Sequence, residues 1–140
     1  MRIADIMTDK NKIYTEVTEN ISISVVPKYE SEESNPAIGK FVYSYTVTIE
    51  NIGTETVKLL SRHWYIVDSI QEKREVRGEG VVGVQPELKP GETFQYVSWC
   101  PLHSPIGKMY GNYTFLNLSA RTTFKVLIPE FLLVSDFKLN

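Results

Sequence analysis

Three glycines near the middle of the chain have a spacing that can serve anion binding. Gly78, Gly80 and Gly83 match the pattern G-x-G-x-x-G, which in dinucleotide-binding folds opens a helix whose N-terminus receives a pyrophosphate. Pro86 and Pro90 follow within a few residues, and proline prevents a long helix from starting there. The glycine motif therefore lacks the helix that a dinucleotide-binding site requires after it. A narrower function stays open, because successive N–H groups in a glycine loop can form a nest for an anion.

Basic side chains lie near enough in the sequence to complete such a site. Arg77 directly precedes the first glycine, and Arg62, Lys73 and Arg74 lie upstream. Because a planar guanidinium suits a phosphate, we predict that Gly78–Gly83 binds a phosphate or pyrophosphate group, with Arg77 or Arg62 as the charged partner. The alternative is that the glycines only permit a tight chain crossing and that the basic side chains are solvated surface groups.

Two other sets of residues could do chemistry, and each lacks a component. Cys100 and His103 could form a nucleophile and base, but residues three apart on a strand point to opposite faces and no third residue to orient the histidine is evident. We expect a packed, inert cysteine. The carboxylates of Asp68, Glu79 and Glu92 could converge only in three dimensions. One Cys and two His make a poor zinc set. We therefore assign no catalytic residue, no metal ligand and no cofactor.

Composition excludes several classes of protein. The 140 residues are 42% hydrophobic and 23% charged, as in ordinary soluble globular proteins. A net charge of −2 argues against a general nucleic-acid binder. No apolar run approaches the ~18–20 residues needed to span a bilayer, and residues 1–10 lack the apolar centre of a signal peptide. We expect a cytoplasmic protein that binds neither nucleic acid nor membrane.

The segments that must hold these residues alternate like β-strands. The clearest runs from Phe41 to Asn51, and a second runs from Val57 to Asp68, where the register around Ser61 stays open. In the second strand we place Trp64 and Ile66 inward, with Arg62 and Asp68 near the ends of the same face. The predicted core contains Phe41, Tyr43, Tyr45, Val47, Ile49, Trp64 and Ile66.

The remaining chain supports the same fold class. We predict one half-buried strand within Ile13–Tyr29, an exposed acidic loop at Glu30–Pro36, and a type II turn at Pro90–Gly91. Further strands are predicted over Phe94–Ser98, Met109–Leu118 and Thr122–Val134, and the window Gly78–Tyr113 is interpreted as mainly loops. Short strands without an amphipathic helix predict an all-β sandwich. Residues 1–12 are expected to form a polar leader and residues 13–140 a single domain.

The order of the motifs resembles the ApaG family. The resemblance is carried by Leu60-Ser61-Arg62-His63-Trp64, by Gly78-x-Gly80-Val81-Val82-Gly83-x-Gln85-Pro86, by Leu88-x-Pro90-Gly91-Glu92-x-Phe94-x-Tyr96, by Cys100-Pro101-Leu102-x-Ser104-Pro105-x-Gly107-x-Met109-x-Gly111-x-Tyr113, and by Phe124 with Ile128-Pro129-x-Phe131. It covers about Val17 to Leu133. Ser104 and Trp99 depart from the residues expected at their positions.

This resemblance implies an immunoglobulin/fibronectin type III-like antiparallel β-sandwich. It also implies an association with cobalt and magnesium tolerance and pyrophosphate binding at Gly78, Gly80 and Gly83. We therefore expect a non-enzymatic binding module for a protein or a phosphate-containing small molecule. The rival is an enzyme or accessory factor in (di)nucleoside polyphosphate metabolism. Because sandwich edge strands present unpaired backbone groups, we also expect a weak homodimer.

Overall fold

The computed structural model describes residues 12–70 and 72–135, and within them the chain is built almost entirely of β-strands. The predicted leader therefore lies outside the described residues, apart from Lys12. The strands are β1 (Tyr14–Thr18), β2 (Ile21–Tyr29), β3 (Phe41–Asn51), β4 (Val57–Asp68), β5 (Lys73–Glu79), β6 (Glu87–Leu88), β7 (Thr93–Leu102), β8 (Ile106–Asn117) and β9 (Thr122–Val134). Two short 3₁₀ turns, Ser31–Glu33 and Pro36–Ile38, occupy the acidic connection before β3.

The strands form two antiparallel sheets that pack face to face. One sheet has the order β1-β2-β3-β7, and the other has the order β5-β4-β8-β9, with β6 beside β4. This arrangement confirms the predicted all-β, immunoglobulin/fibronectin type III-like sandwich. In the described residues, no helix is long and apolar enough to cross a membrane.

The core comes from the inward faces of both sheets, as the period of two along each strand predicts. Val47 and Ile49 are fully buried in the first sheet, and Trp64 contacts Tyr45 and Phe131 between the sheets. The predicted core residues Phe41, Tyr43, Tyr45, Val47, Ile49, Trp64 and Ile66 are all buried. The predicted core is therefore confirmed.

The half-buried strand predicted within Ile13–Tyr29 is confirmed over β2, but the stretch contains a second strand, β1, because the chain reverses there. Glu19 and Asn20 both have positive φ, 45° and 65°, and join β1 to β2 as a hairpin. Asparagine tolerates this conformation, but glutamate rarely adopts it. The sequence lacks the glycine that usually indicates a two-residue hairpin turn.

A bulge explains the ambiguity in β4. The pairing of β4 with β8 shifts between Leu59 and Ser61, so one residue has no direct partner. A bulge exchanges the faces that a strand presents. As a result Leu59 and Trp64 both point into the core although they are five positions apart.

The interpretation of Gly78–Tyr113 as mainly loops is only partly correct. Gly78 lies within β5, and β7 and β8 occupy most of the later part of the window. The Pro90–Gly91 turn is confirmed, since the Glu92 N–H donates to the Lys89 carbonyl at 2.9 Å and Gly91 has φ 85°. The glycine loop is therefore a short connection between two edge strands.

Candidate functional site

The glycine loop ends in a two-residue tip at Val82 and Gly83. These residues have φ 41° and 83°, and Val81 and Val84 form an isolated antiparallel bridge below them. Val81 is fully buried, whereas Val82 and Val84 are 57% and 46% exposed. The loop is thus anchored in the core by one valine and presents two others to solvent.

The side chain of Arg62 holds the base of this loop. Arg62 faces Gly78 across β4 and β5, and its Nη1 donates to the carbonyls of Glu79 and Gly80 at 2.9 Å each. A β-carbon on Gly78 would be 2.7 Å from Nη2, so the missing side chain makes room for the guanidinium. Arg62 is therefore brought to the predicted loop, but it binds carbonyl groups of the loop itself.

The N–H groups of Gly80, Val81 and Val84 are already used within the chain. The Gly80 N–H donates to the Leu60 carbonyl at 2.8 Å. The Val81 N–H donates to the Val84 carbonyl at 2.8 Å, and the Val84 N–H donates to the Val81 carbonyl at 3.0 Å. Among the described residues, the N–H groups of Val82 and Gly83 have no partner. An anion nest across the whole of Gly78–Gly83 is therefore not available in this conformation.

Gly80 is the position in the loop that requires glycine most strictly. Its φ is 63°, and a β-carbon there would be 2.2 Å from the Val84 carbonyl oxygen. Both the left-handed conformation and the close backbone contact disfavour a side chain. Gln85 adds a further restraint, because its Nε2 donates to the Leu60 carbonyl at 2.8 Å.

Arg77 lies on the other face of the sheet and is not brought to the loop. It faces His63 across the strand pair, where its Nε lies 3.3 Å from His63 Nε2 and its Nη2 lies 3.5 Å from Glu75 Oε2. The Arg77 side chain is 72% exposed. Arg74 donates instead to the Pro101 carbonyl at 2.6 Å. Of the basic residues considered from the sequence, only Arg62 contacts the loop.

A cluster of buried tyrosines lies beneath Arg62. The hydroxyl groups of Tyr96 and Tyr113 hydrogen-bond to each other inside the sandwich. Burial raises the pKa of Tyr45, Tyr96 and Tyr113 above the usual tyrosine value, and the positive charge of Arg62 offsets part of that rise. These hydroxyls therefore stay protonated near neutral pH and act as internal hydrogen-bond partners.

Cys100 is buried, in agreement with the expectation of a packed thiol. Burial raises its pKa to about 11, although the Arg74 guanidinium, with Nη2 3.6 Å from Sγ, acts in the opposite direction. His103 is exposed in the connection between β7 and β8. A thiol with this pKa is almost fully protonated at neutral pH, which disfavours nucleophilic chemistry.

The three carboxylates singled out from the sequence have separate structural settings. Asp68 is buried and accepts hydrogen bonds from the His103 N–H at 2.6 Å and from the Ser104 hydroxyl. Glu92 accepts from the Lys89 N–H at 2.7 Å within the proline–glycine turn, and Glu79 is exposed. Over residues 12–70 and 72–135, no group of three or more His, Cys, Asp or Glu side chains is arranged to hold a metal ion.

A cleft of about 400 Å³ opens at a different place, between the ends of β2, β3, β8 and β9. Its wall includes Asn51 and Asn117, whose side chains hold neighbouring turns: the Asn51 amide donates to the carbonyls of Glu55 and Leu88, and Asn117 Oδ1 accepts from the Ser119 N–H. None of the site residues predicted from the sequence lines this cleft.

The exposed valines of the tip are the feature that the sequence reasoning missed. Asn-Gly or Asp-Gly is the usual signal for a two-residue turn with positive φ at both positions. Here the first position is Val82, a β-branched residue that rarely adopts such a conformation. The pattern Val-Val-Gly-Val therefore resembles part of a strand rather than a turn.

Comparison with known proteins places this geometry within one family. The sequence profile of the ApaG domain matches residues 31–117. The chain is 47% identical over 119 residues to Protein ApaG of Mesorhizobium japonicum, covering 85% of this chain and 91% of that protein. It is 51% identical over 118 residues to Protein ApaG of Caulobacter vibrioides, covering 84% of each.

A solved structure supports the same assignment. The crystal structure of a Bordetella pertussis protein labelled ApaA superposes with a TM-score of 0.80 at 44% sequence identity, covering 87% of this chain and 95% of that one. The family profile covers more than half of the chain, and the two relatives align along most of their length. The chain therefore belongs to the ApaG domain family.

Proposed function

We propose that this protein is a non-enzymatic binding module that engages a protein partner through the tip of the glycine loop. The observation that carries the proposal is Val82, a β-branched residue held at φ 41° and 57% exposed to solvent. This left-handed backbone conformation costs a non-glycine residue on the order of 1–3 kcal/mol, and it persists only where the surrounding structure imposes it. Strained residues cluster at functional sites, and this one presents an apolar side chain to solvent, which supports a role in recognition.

The loop is also prepared for binding, because its base is fixed before any partner arrives. The Arg62 guanidinium donates hydrogen bonds to two loop carbonyls, the Val81 side chain is buried, and the Gly80 N–H donates to the Leu60 carbonyl. A rigid loop loses little conformational entropy on association, and this improves affinity for a given contact area. Val82 and Val84 would supply the apolar contact.

The test uses Val82→Asn, which keeps a residue suited to the turn and removes the apolar side chain. Wild-type protein and variant, each carrying a photo-crosslinker at the exposed position Glu79 beside the loop, would be compared for crosslinked proteins in the native cell. Val97→Asn is the matched control, because Val97 is 50% exposed on another strand. The proposal expects one crosslinked protein that the wild type and the control retain and Val82→Asn loses. Equal crosslinking by all three proteins would contradict it.

A second candidate function is the binding of a phosphate-containing small molecule at the same tip. It is supported by the two N–H groups of Val82 and Gly83, which have no partner among the described residues, and by Nη2 of Arg62, which remains beside Gly78. The donor set is smaller than the sequence predicted, since Arg77 faces away from the loop. Binding of this kind would be weak and sensitive to salt.

An NMR titration with inorganic phosphate and then pyrophosphate tests this candidate. It expects the amide signals of Val82 and Gly83 to move, with Arg77→Ala giving the same response as the wild type. Chloride at equal ionic strength is the control for general screening. If millimolar pyrophosphate leaves both amides unmoved, this tip binds no phosphate and only the protein-binding proposal stands.

The association with cobalt and magnesium tolerance has a limited basis in the residues themselves. The donor set does not fit a metal centre in the described part of the chain, where Asp68 is engaged by His103 and Ser104. We therefore propose that any effect on metal tolerance acts through a bound partner. The rival proposal, an accessory role in (di)nucleoside polyphosphate metabolism, requires that the protein bind such a nucleotide, and the same titration with ATP tests it.

A further inference from the structure

The free edge of β5 has a charge pattern that is complementary to itself. The strand reads Lys73-Arg74-Glu75-Val76-Arg77-Gly78-Glu79, and positions 73, 75, 77 and 79 alternate in sign. Two copies paired antiparallel about Val76 would place Lys73 opposite Glu79 and Glu75 opposite Arg77. Every charge on that face of the strand would then face its opposite.

The backbone of β5 has the right polarity for this pairing. The backbone N–H of Asp68 donates to the Glu72 carbonyl, and the backbone N–H of Gly80 donates to the Leu60 carbonyl. The even-numbered residues of β5 therefore form the backbone hydrogen bonds to β4. Successive residues of a strand direct their N–H and carbonyl groups to opposite sides. The odd-numbered residues therefore direct theirs to the open edge, which no other strand covers among the described residues. The Glu79 carbonyl is the exception, since it already accepts from Arg62.

The same register suits the other face of the strand. Val76 would meet its symmetry mate at the centre, which would cover a side chain that is 41% exposed in the single chain. Arg74 would lie opposite Gly78, which has no side chain to oppose it, while the Arg74 guanidinium keeps its hydrogen bond to the Pro101 carbonyl of its own chain. A two-fold axis between two residues whose N–H groups point away from each other is an allowed geometry for an antiparallel pair.

We infer that the partner of β5 is a second copy of this chain, paired antiparallel about Val76 to join two sheets into one. The contact contains about six backbone hydrogen bonds, one pair of Val76 side chains facing each other at the axis, and cross-strand charge pairs of the kind that stabilise sheets. It is smaller than the interface of a permanent dimer. The dimer is therefore weak and forms at high protein concentration.

Charge reversals that complement each other in trans provide the decisive test. Lys73→Glu places like charges at both ends of the pair, and so does Glu79→Lys, so each variant alone should weaken dimerisation about tenfold. An equimolar mixture of the two variants restores opposite charges at both ends and should recover the wild-type association. Both side chains are exposed, so the fold should be kept. Sedimentation equilibrium from about 10 µM to about 1 mM measures the constants.

Hydrogen exchange supplies an independent readout of the register. The amides of Glu75 and Arg77 should become protected as concentration rises, whereas those of Val76 and Gly78 should be protected at every concentration. Wild-type protein that stays monomeric throughout the range would overturn the inference. So would a dimer that both single variants form as well as the wild type, because it would use another surface such as the free edge of β7.

Discussion

The guanidinium of Arg62 lies over Gly78, at a position where a β-carbon would be 2.7 Å from Nη2 and 2.8 Å from Cζ. The close approach lets Nη1 reach the carbonyls of Glu79 and Gly80, beyond the glycine. This glycine therefore serves an internal arginine, whereas the pattern G-x-G-x-x-G suggests a role toward a ligand. The pairing makes the two residues dependent on each other.

That dependence gives the first prediction, a coupling between Gly78→Ala and Arg62→Ala. Each single change should lower the free energy of unfolding by about 1–3 kcal/mol, because each removes the hydrogen bonds to the two loop carbonyls. The double variant should cost clearly less than the sum, since the alanine methyl has no clash once the guanidinium is absent. Urea denaturation of the four proteins measures the cycle. Additive losses would show that Gly78 has another role.

The second prediction concerns the strained tip. Val82→Asn should raise the free energy of unfolding by about 1 kcal/mol, because asparagine tolerates positive φ and Asn-Gly suits this turn. Val84→Asn is the control, since Val84 is exposed but does not have positive φ. It should leave stability within about 0.5 kcal/mol of the wild type. Thermal unfolding of both variants provides the comparison, and a destabilised Val82→Asn would remove the argument from strain.

Much of the scaffold was predictable because burial imposes a period of two on each strand. The sequence places Tyr45, Val47 and Trp64 in the core, and all three are buried. Turns without glycine were less predictable. The chain reverses at Glu19 and Asn20, which both have positive φ, and this pair of residue types does not indicate a turn as glycine would. The two strands were therefore predicted as one.

The position of the candidate site in the sequence was predictable, but the arginine that contacts the glycine loop was not. The sequence indicates that Arg62 and Arg77 both lie near the glycine loop, and it leaves open which one contacts it. Strand register decides this, because the pairing with β5 places Arg62 opposite Gly78 and Arg77 opposite His63. The register depends on contacts between strands that are distant in sequence. A single-residue shift would have reversed the two roles.

The third prediction concerns Asp68, which holds the connection between β7 and β8. Asp68→Asn should lower the free energy of unfolding by about 1–3 kcal/mol, because a buried carboxylate that accepts from the His103 N–H and the Ser104 hydroxyl is replaced by a neutral group with fewer acceptors. Glu92→Gln is the matched control in an exposed turn and should cost less. Urea denaturation distinguishes them. An equal loss for both variants would mean that burial of Asp68 adds nothing.

The last prediction links the buried thiol of Cys100 to stability in alkali. Burial raises its pKa from the usual 9.0 to about 11, so the folded protein holds this proton more tightly than the unfolded chain does. Its contribution to stability is complete below pH 9 and is lost as the pH rises toward 11. The loss should have a slope of at most about 1.4 kcal/mol per pH unit for this one group.

Cys100→Ser isolates this contribution, because serine does not titrate in the range. The variant should be less stable than the wild type by about 1–3 kcal/mol at neutral pH, where a buried hydroxyl replaces a thiol. The difference between the two proteins should then shrink between pH 9 and pH 11. The buried Tyr96 affects both proteins alike, because Cys100 is not among the causes of its raised pKa. Urea denaturation across this range measures the difference. If it stays constant with pH, Cys100 does not hold its proton through burial, and a thiol that reacts rapidly at neutral pH would lead to the same conclusion.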